Sequence, residues 1–222
     1  MCGRFAVDKS PEEIAAEVQA EWADDARGIP SWNTCPTAYS PVLHNEQLHS
    51  WSWGLIPSWS KDDKRRAGLI NARIETVDEK PSYRSLLGRR QCIIPCNGWF
   101  EWARKGKEKI PWYFTGKGPQ MLYMAGLWDL WHNDQGEPVK SFTVLTREAY
   151  KGISDIHHRM PVLLDLETAI EWSCNNAEVE EILDASLEDV NFYRVGKEVN
   201  SVRNNDDTLI KPYNPPEQQG LF

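Results

Sequence analysis

The chain has 222 residues, 41% hydrophobic, 11% aromatic and 26% charged, with a formal net charge of −8. That length holds one sizeable domain with its own core, and the composition excludes disordered and fibrous classes. No run approaches the ~18 apolar residues of a membrane span. Acids at Asp8, Glu12, Glu13 and Glu17 stand where a signal peptide would be apolar, so a cytosolic protein is expected.

In chain order, a strand over residues 1–7 leads to Ser10-Pro11-Glu12-Glu13, where an N-cap Ser, a Pro at the first helical position and a Glu three residues after the cap mark a helix start. Ile14, Val18 and Trp22 fall on one face, which predicts about three helical turns. Short apolar or alternating runs then predict strands over 39–44, 48–55, 68–73, 91–95, 98–103, 111–115, 121–129 and 141–145. Helices are predicted over 146–151, 165–172 and 177–185, followed by a strand over 191–194. The fold class is therefore α+β: one domain with a mainly antiparallel β-sheet or barrel core and flanking helices. The domain is expected over 1–210, with a polar tail over 211–222.

The five cysteines, at 2, 35, 92, 96 and 174, are an odd number in a chain too large to depend on disulfides, which points to reduced thiols. Cys92 and Cys96, in the apolar run QCIIPC, read as core residues. No second Cys or His pair stands at ligand spacing, so no metal and no other cofactor is expected. Charge is unevenly spread. Residues 61–117 hold fourteen Lys and Arg against seven Asp and Glu, and most of the eleven tryptophans lie in or beside that segment. Cations interleaved with rings suit a single-stranded nucleic-acid groove, although a Trp-rich β-core with a solvated rim explains the same composition.

Four places could carry chemistry. Removal of Met1 would leave Cys2 with a 1,2-aminothiol, whose amine (reference pKa near 7.7–8.0) and thiol (about 8.5) are two nucleophiles on one residue. Such a group can act as an N-terminal nucleophile, or capture an aldehyde as a Schiff base and then a thiazolidine; a start-site coincidence is the plain alternative. Asn71 and Arg73 share a strand face, as would suit a sugar oxygen and a phosphate, or the capping of a strand end. Glu101, inside GWFEW, is a carboxylate among rings: burial would raise its pKa and hydrogen bonds would lower it. His157, His158 and Arg159 follow Asp155-Ile156, and since adjacent histidines usually diverge, one of the two is the candidate acid/base.

The N-terminal Met1-Cys2-Gly3-Arg4-Phe5, WGLIPSW at 53–59, INARIET at 70–76, GWFEW at 98–102 and DIHHRMP at 155–161 together resemble the SOS response-associated peptidase (SRAP) family, over about residues 1–210. The resemblance implies a β-rich single domain that recognises abasic sites in single-stranded DNA and crosslinks to them through Cys2. It implies His157 as general acid/base, Asn71 as a hydrogen-bond partner of the sugar or forming ring, and Glu101 as the group that positions the α-amine. A weak lyase side activity and self-cleavage of Met1 are also expected. For DNA it implies Arg4, Arg73 and Arg159 at phosphates, Thr146 and Asn33 as polar contacts and Trp59 at the lesion; Lys80 and Arg84 are added on charge and position. Ser60 stands where some members carry a second Trp, and His158 where an Asp is usual.

The tail ends Gln218-Gln219-Gly220-Leu221-Phe222, which resembles the peptide that replication proteins insert into a sliding clamp, or else folds back on its own core. Nothing resembles a dimerisation helix, so a monomer in the cytoplasm, at the nucleoid when bound to DNA, is expected. Two other classes fit parts of the sequence. Class II glutamine amidotransferases also open Met-Cys-Gly, and a non-enzymatic DNA-damage binder would use the basic, Trp-rich face alone.

Overall fold

The computed structural model describes residues 2–63 and 68–214. Its strands are β1 (Phe5–Val7), β2 (Glu21–Trp22), β3 (Ser31–Thr34), β4 (Tyr39–His44), β5 (Gln47–Trp53), β6 (Asn71–Arg73), β7 (Gln91–Cys96), β8 (Gly98–Lys105), β9 (Glu108–Thr115), β10 (Leu122–His132), β11 (Pro138–Glu148), β12 (Arg159–Pro161), β13 (Leu163–Leu164) and β14 (Asn191–Arg194). The helices are α1 (Pro11–Val18), α2 (Leu166–Ser173) and α3 (Val179–Asp184).

Pairings β5–β4–β7–β10–β11 return to β5 through a parallel contact, Ser52 with Ser141 and Trp53 with Phe142, and so close a five-stranded barrel. A second sheet runs β14–β9–β8–β1–β3. The chain passes from barrel to sheet at Asn97, whose N–H donates to Ala6 O at 2.8 Å. The α+β, single-domain, mainly antiparallel expectation holds. Among the described residues parallel pairs are confined to β5–β11, β6–β11 and β2–β5.

The main core includes Trp51, Trp53, Phe142, Val144 and Leu127 of the barrel strands and continues to Phe5 and Trp99 of the second sheet. A smaller cluster, Ala6, Phe100, Tyr113, Val195, Val199 and Leu209, is capped by 3-10 turns at Lys197–Asn200 and Asp207–Ile210. Most tryptophans are thus core residues, and Trp59 alone of the eleven is in the exposed class. Cys92 and Cys96 are fully buried in β7. Among the described residues no helix is long and apolar enough to cross a membrane.

Two predicted elements are corrected. Helix α1 starts as expected, with Ser10 Oγ accepting from Glu13 N at 3.3 Å and Glu13 Oε2 from Ser10 N at 2.8 Å. It ends after two turns, because Gln19 turns left-handed (φ 54°) and Trp22 pairs in β2 with Leu48. Trp22 still reaches the helix start, its Nε1 donating to Pro11 O at 3.0 Å. Residues 146–151 do not begin a helix: β11 runs on through Glu148, held by β12 on one side (Thr146 with Pro161) and β6 on the other (Thr146 with Arg73). Two flanking ladders outweigh the good helical propensity of Arg-Glu-Ala, since tertiary pairing overrides propensity.

Candidate active site

Four separate elements meet around Cys2. β1 lies antiparallel to β8 with Phe5 opposite Trp99, and Phe100 N donates to Arg4 O at 2.9 Å, so the residues before Phe5 run alongside Glu101. β6 is laid on β11 with Asn71 beside Val144. From there Asn71 Nδ2 donates to Cys2 O at 2.7 Å, and Tyr83 Oη donates to Asn71 O at 3.4 Å. His157 precedes β12 and brings Nδ1 to 3.9 Å from Glu101 Oε1. Cys2 is fully buried, its Sγ directed at Arg4 O at 3.9 Å.

Burial sets the protonation of the cluster. It pushes the Cys2 thiol well above the ordinary thiol range, with the charge of Glu101 adding to the effect. Glu101 is 2% exposed and burial raises its pKa to about 7, so of the two opposing influences read from sequence, burial wins. Burial likewise lowers His157 to about 4, with the charges of His158 and Arg159 adding to the effect and a hydrogen bond to the Arg159 backbone opposing it. The ring is therefore neutral near pH 7. Its Nδ1 lies 3.1 Å from both the Arg159 backbone N and the Arg159 carbonyl oxygen, so the backbone of Arg159 can serve either tautomer of the neutral ring. His158 does not diverge: its ring stacks on His157 with centroids 4.5 Å apart. The turn is pinned by His157 N to Ile153 O at 2.9 Å and Ala149 N to His158 O at 3.0 Å.

A cleft of about 580 Å³ opens over this cluster, with Arg4, Glu101, Trp102 and His157 along it and Arg104 and Lys109 on its rim. Trp102 is fixed by Nε1 donating to Asn200 Oδ1 at 2.7 Å. Arg4 Nη1 donates to Asn33 Oδ1 at 2.6 Å and to Val199 O at 2.9 Å, and its guanidinium lies 5.8 Å from the Trp102 ring centre.

The remaining sequence candidates divide by depth. Arg73, Lys80 and Arg84 are exposed, and Trp59 is 59% exposed in a loop fixed by Ser58 N to Asp129 Oδ2 and Trp131 Nε1 to Ser60 O, both at 2.7 Å. Three others lie beneath the surface. Asn33 spends Nδ2 on Ser201 O (3.1 Å) and Asn204 O (2.7 Å). Thr146 is fully buried, with Oγ1 donating to Ala72 O at 3.3 Å. Arg159 forks onto both oxygens of Glu75 at 2.7 and 2.8 Å. Burial alone would raise Glu75, yet the hydrogen bonds from Arg159 outweigh it and hold this carboxyl below its usual range.

Sequence reasoning passed over Glu75, although it stands two residues after Arg73 in INARIET. It also passed over Asn200, Arg104 and Lys109, which no local motif marks. Met1, residues 64–67 of the basic segment, and Gln218, Leu221 and Phe222 of the tail lie outside the described residues. Among the described residues no three His, Cys, Asp or Glu side chains converge as metal ligands.

Residues 1–202 match the family described as SOS response associated peptidase (SRAP). The chain is 34% identical over 224 residues to the abasic site processing protein YoqW of Bacillus subtilis (strain 168), covering 96% of this chain and 100% of that one. It is 33% identical over 261 residues to the abasic site processing protein HMCES of Gallus gallus, covering 96% of this chain and 78% of that one. Among solved structures, a protein from Bacteroides thetaiotaomicron superposes with a TM-score of 0.85 at 25% identity, covering 96% of this chain and 100% of the other. A phage-related protein from Bordetella bronchiseptica gives 0.69 at 28% identity, covering 89% and 95%. Matched over most of its length by the family and by relatives above 30% identity, the chain belongs to the SOS response associated peptidase family.

Proposed function

We propose that this chain processes abasic sites in single-stranded DNA by forming a covalent link through Cys2 once Met1 has been removed, a removal we assign to the protein's own site. The observation that carries the reading is the setting of Cys2: its carbonyl held by Asn71, Glu101 and His157 beside it, and a cleft with cations on its rim above. The names of the relatives point to the same lesion.

The order of bond formation follows from burial. A thiol held well above its usual pKa is protonated near neutrality, so the α-amine attacks first. The amine adds to C1′ of the ring-opened deoxyribose aldehyde, and water leaves to give the Schiff base. Sγ then adds to C1′ and its proton passes to the nitrogen, closing the thiazolidine; the only by-product is water. Glu101, as carboxylate, orients the amine and takes up its proton. Neutral His157 moves protons during sugar opening and ring closure. Asn71 is a positioning residue, acting through the Cys2 carbonyl. If the thiol fails to close, loss of the C2′ proton from the Schiff base expels the 3′ phosphate, a weak lyase activity.

In this reading Arg4, Arg73, Lys80 and Arg84 meet the strand and Trp59 stacks on a base near the lesion. Asn33 and Thr146 support Arg4 and Arg159 from beneath. The boundary expected after residue 210 is not a break in the fold, since Pro212 bridges Val195 and Tyr213 N donates to Arg194 O at 2.8 Å; in this reading the end of the chain takes the sliding clamp through Gln218, Leu221 and Phe222. Loss of clamp pull-down on deleting 218–222 is expected there, and unchanged binding refutes that part.

The central test mixes the purified protein with single-stranded DNA carrying one abasic site and reads a denaturing gel and intact mass. A covalent band with the summed mass of protein and DNA minus one water, absent with Cys2→Ala and with undamaged DNA, is expected. No band from protein whose Met1 is shown to be gone overturns the reading.

A further inference from the structure

The hairpin of β8 and β9 bears a feature that the fold does not need. Arg104 and Lys109 are direct cross-strand partners. Both are exposed, and both line the rim of the cleft above Glu101 and His157. Like charges directly opposite in an antiparallel pair are destabilising, with Cβ atoms about 5 Å apart. Among the described residues neither cation has an ion-pair partner, whereas Glu108, the acid of this hairpin beyond Glu101, is held by Lys197 at 2.6 Å.

The pair is also held in place. Gly106 takes φ +63° at the first turn position between Lys105 and Glu108, the conformation a tight two-residue hairpin asks of glycine. Along β8, Trp102 and Arg104 are two residues apart and share a face, about 6.8 Å of strand. The guanidinium of Arg4 lies over Trp102 on that face. The result is a line of cation, ring and paired cations leading out of the cleft.

We propose that Arg104 and Lys109 form a phosphate subsite that grips the DNA backbone on one side of the lesion. Two cations, brought together at a cost in repulsion, gain by sharing an anion. A backbone phosphate next to a sugar seated at Cys2 is the anion this cleft would present. The subsite rests on the reading that DNA occupies the cleft, and its test separates the two.

Noncovalent affinity is measured by fluorescence anisotropy across a salt series, on a short single-stranded oligonucleotide carrying a tetrahydrofuran abasic analogue, which has no aldehyde. Three full-length proteins are compared: wild type, Arg104→Gln with Lys109→Gln, and Lys105→Gln with Lys107→Gln. The last removes the same charge from the same hairpin, away from the cleft lining. The cleft pair is expected to bind about tenfold more weakly, with a log–log salt slope smaller by about 0.7, the value for one shared phosphate on a single strand. The control pair is expected to retain most of the affinity. Equal affinity of wild type and the cleft pair, equal loss in both double variants, or no binding by wild type overturns the subsite. Aldehyde-bearing DNA is run in parallel: wild type that binds the analogue but forms no covalent band overturns the crosslinking reading, while a selective loss in the cleft pair still establishes the subsite.

Discussion

Glu101 and His157 stand 3.9 Å apart and are moved by burial in opposite directions, to about 7 and about 4. For Glu101 the native state keeps a proton that the unfolded chain releases above 4.5. Its stabilising contribution is therefore complete below 4.5 and is lost as pH rises through 7. For His157 the unfolded chain takes up a proton below 6.5 that the native state refuses, so stability is lost as pH falls from 6.5 toward 4. Urea unfolding at pH 5 and pH 8 separates the two: over that interval wild type should lose roughly 2 kcal/mol more than Glu101→Gln. In the proposed reaction Glu101 works as a carboxylate, so the crosslinking rate should fall below pH 7. That inflection should vanish in Glu101→Gln; its survival would assign it to the Cys2 amine. Trp59 offers a cleaner test of binding, since nothing in the fold depends on so exposed a ring. Trp59→Ala should weaken single-stranded DNA binding by ~1–3 kcal/mol with an unchanged melting temperature, as loss of one stacking platform does.

At the scale of elements, β8 carries the most consequence. It starts at Gly98, where a Cβ would fall within the Phe114 carbonyl oxygen and the Tyr113 ring of β9. Gly98→Ala should force β8 and β9 apart, cost roughly 1–3 kcal/mol in thermal or urea unfolding, and move Glu101 off the site. The 3-10 cap depends in the same way on Asn33, which ties Arg4 to Ser201 and Asn204. Asn33→Ala should cost roughly 1–3 kcal/mol, because the Arg4 guanidinium loses an acceptor and two carbonyls lose their donor, with faster hydrogen exchange around 199–204 as the local signature. The strand and helix signals of the sequence were strongest where a local rule suffices: the Ser10 capping box, the 39–44 and 191–194 strands, and α2 behind Asp165. They failed where pairing overrides propensity. β11 extends through residues with helical preference because β6 and β12 flank it, and two-residue strands such as β2 and β13 carry too little pattern to read alone.

For the whole molecule, a net charge of −8 coexists with a segment rich in Lys and Arg, which the fold distributes over the 78–89 turn region and the β8–β9 hairpin. Single-stranded DNA binding should therefore weaken steeply as salt rises, despite the acid excess, because local rather than total charge governs phosphate contact; a flat salt response would contradict it. The sequence alone was enough for the α+β class and for the family, and it singled out Cys2, Asn71, Glu101 and His157 as candidates, which the fold brings together. Capping chemistry, period-two alternation and short motifs are written in consecutive residues. Only the tertiary structure could decide that the barrel closes through β5 and β11, that the two histidine rings stack, and that Asn33, Thr146 and Arg159 lie under the surface with Glu75 as a partner. Which side chains meet, and how far burial moves their protons, depends on chain segments distant in sequence and on the water they exclude, which no local pattern encodes.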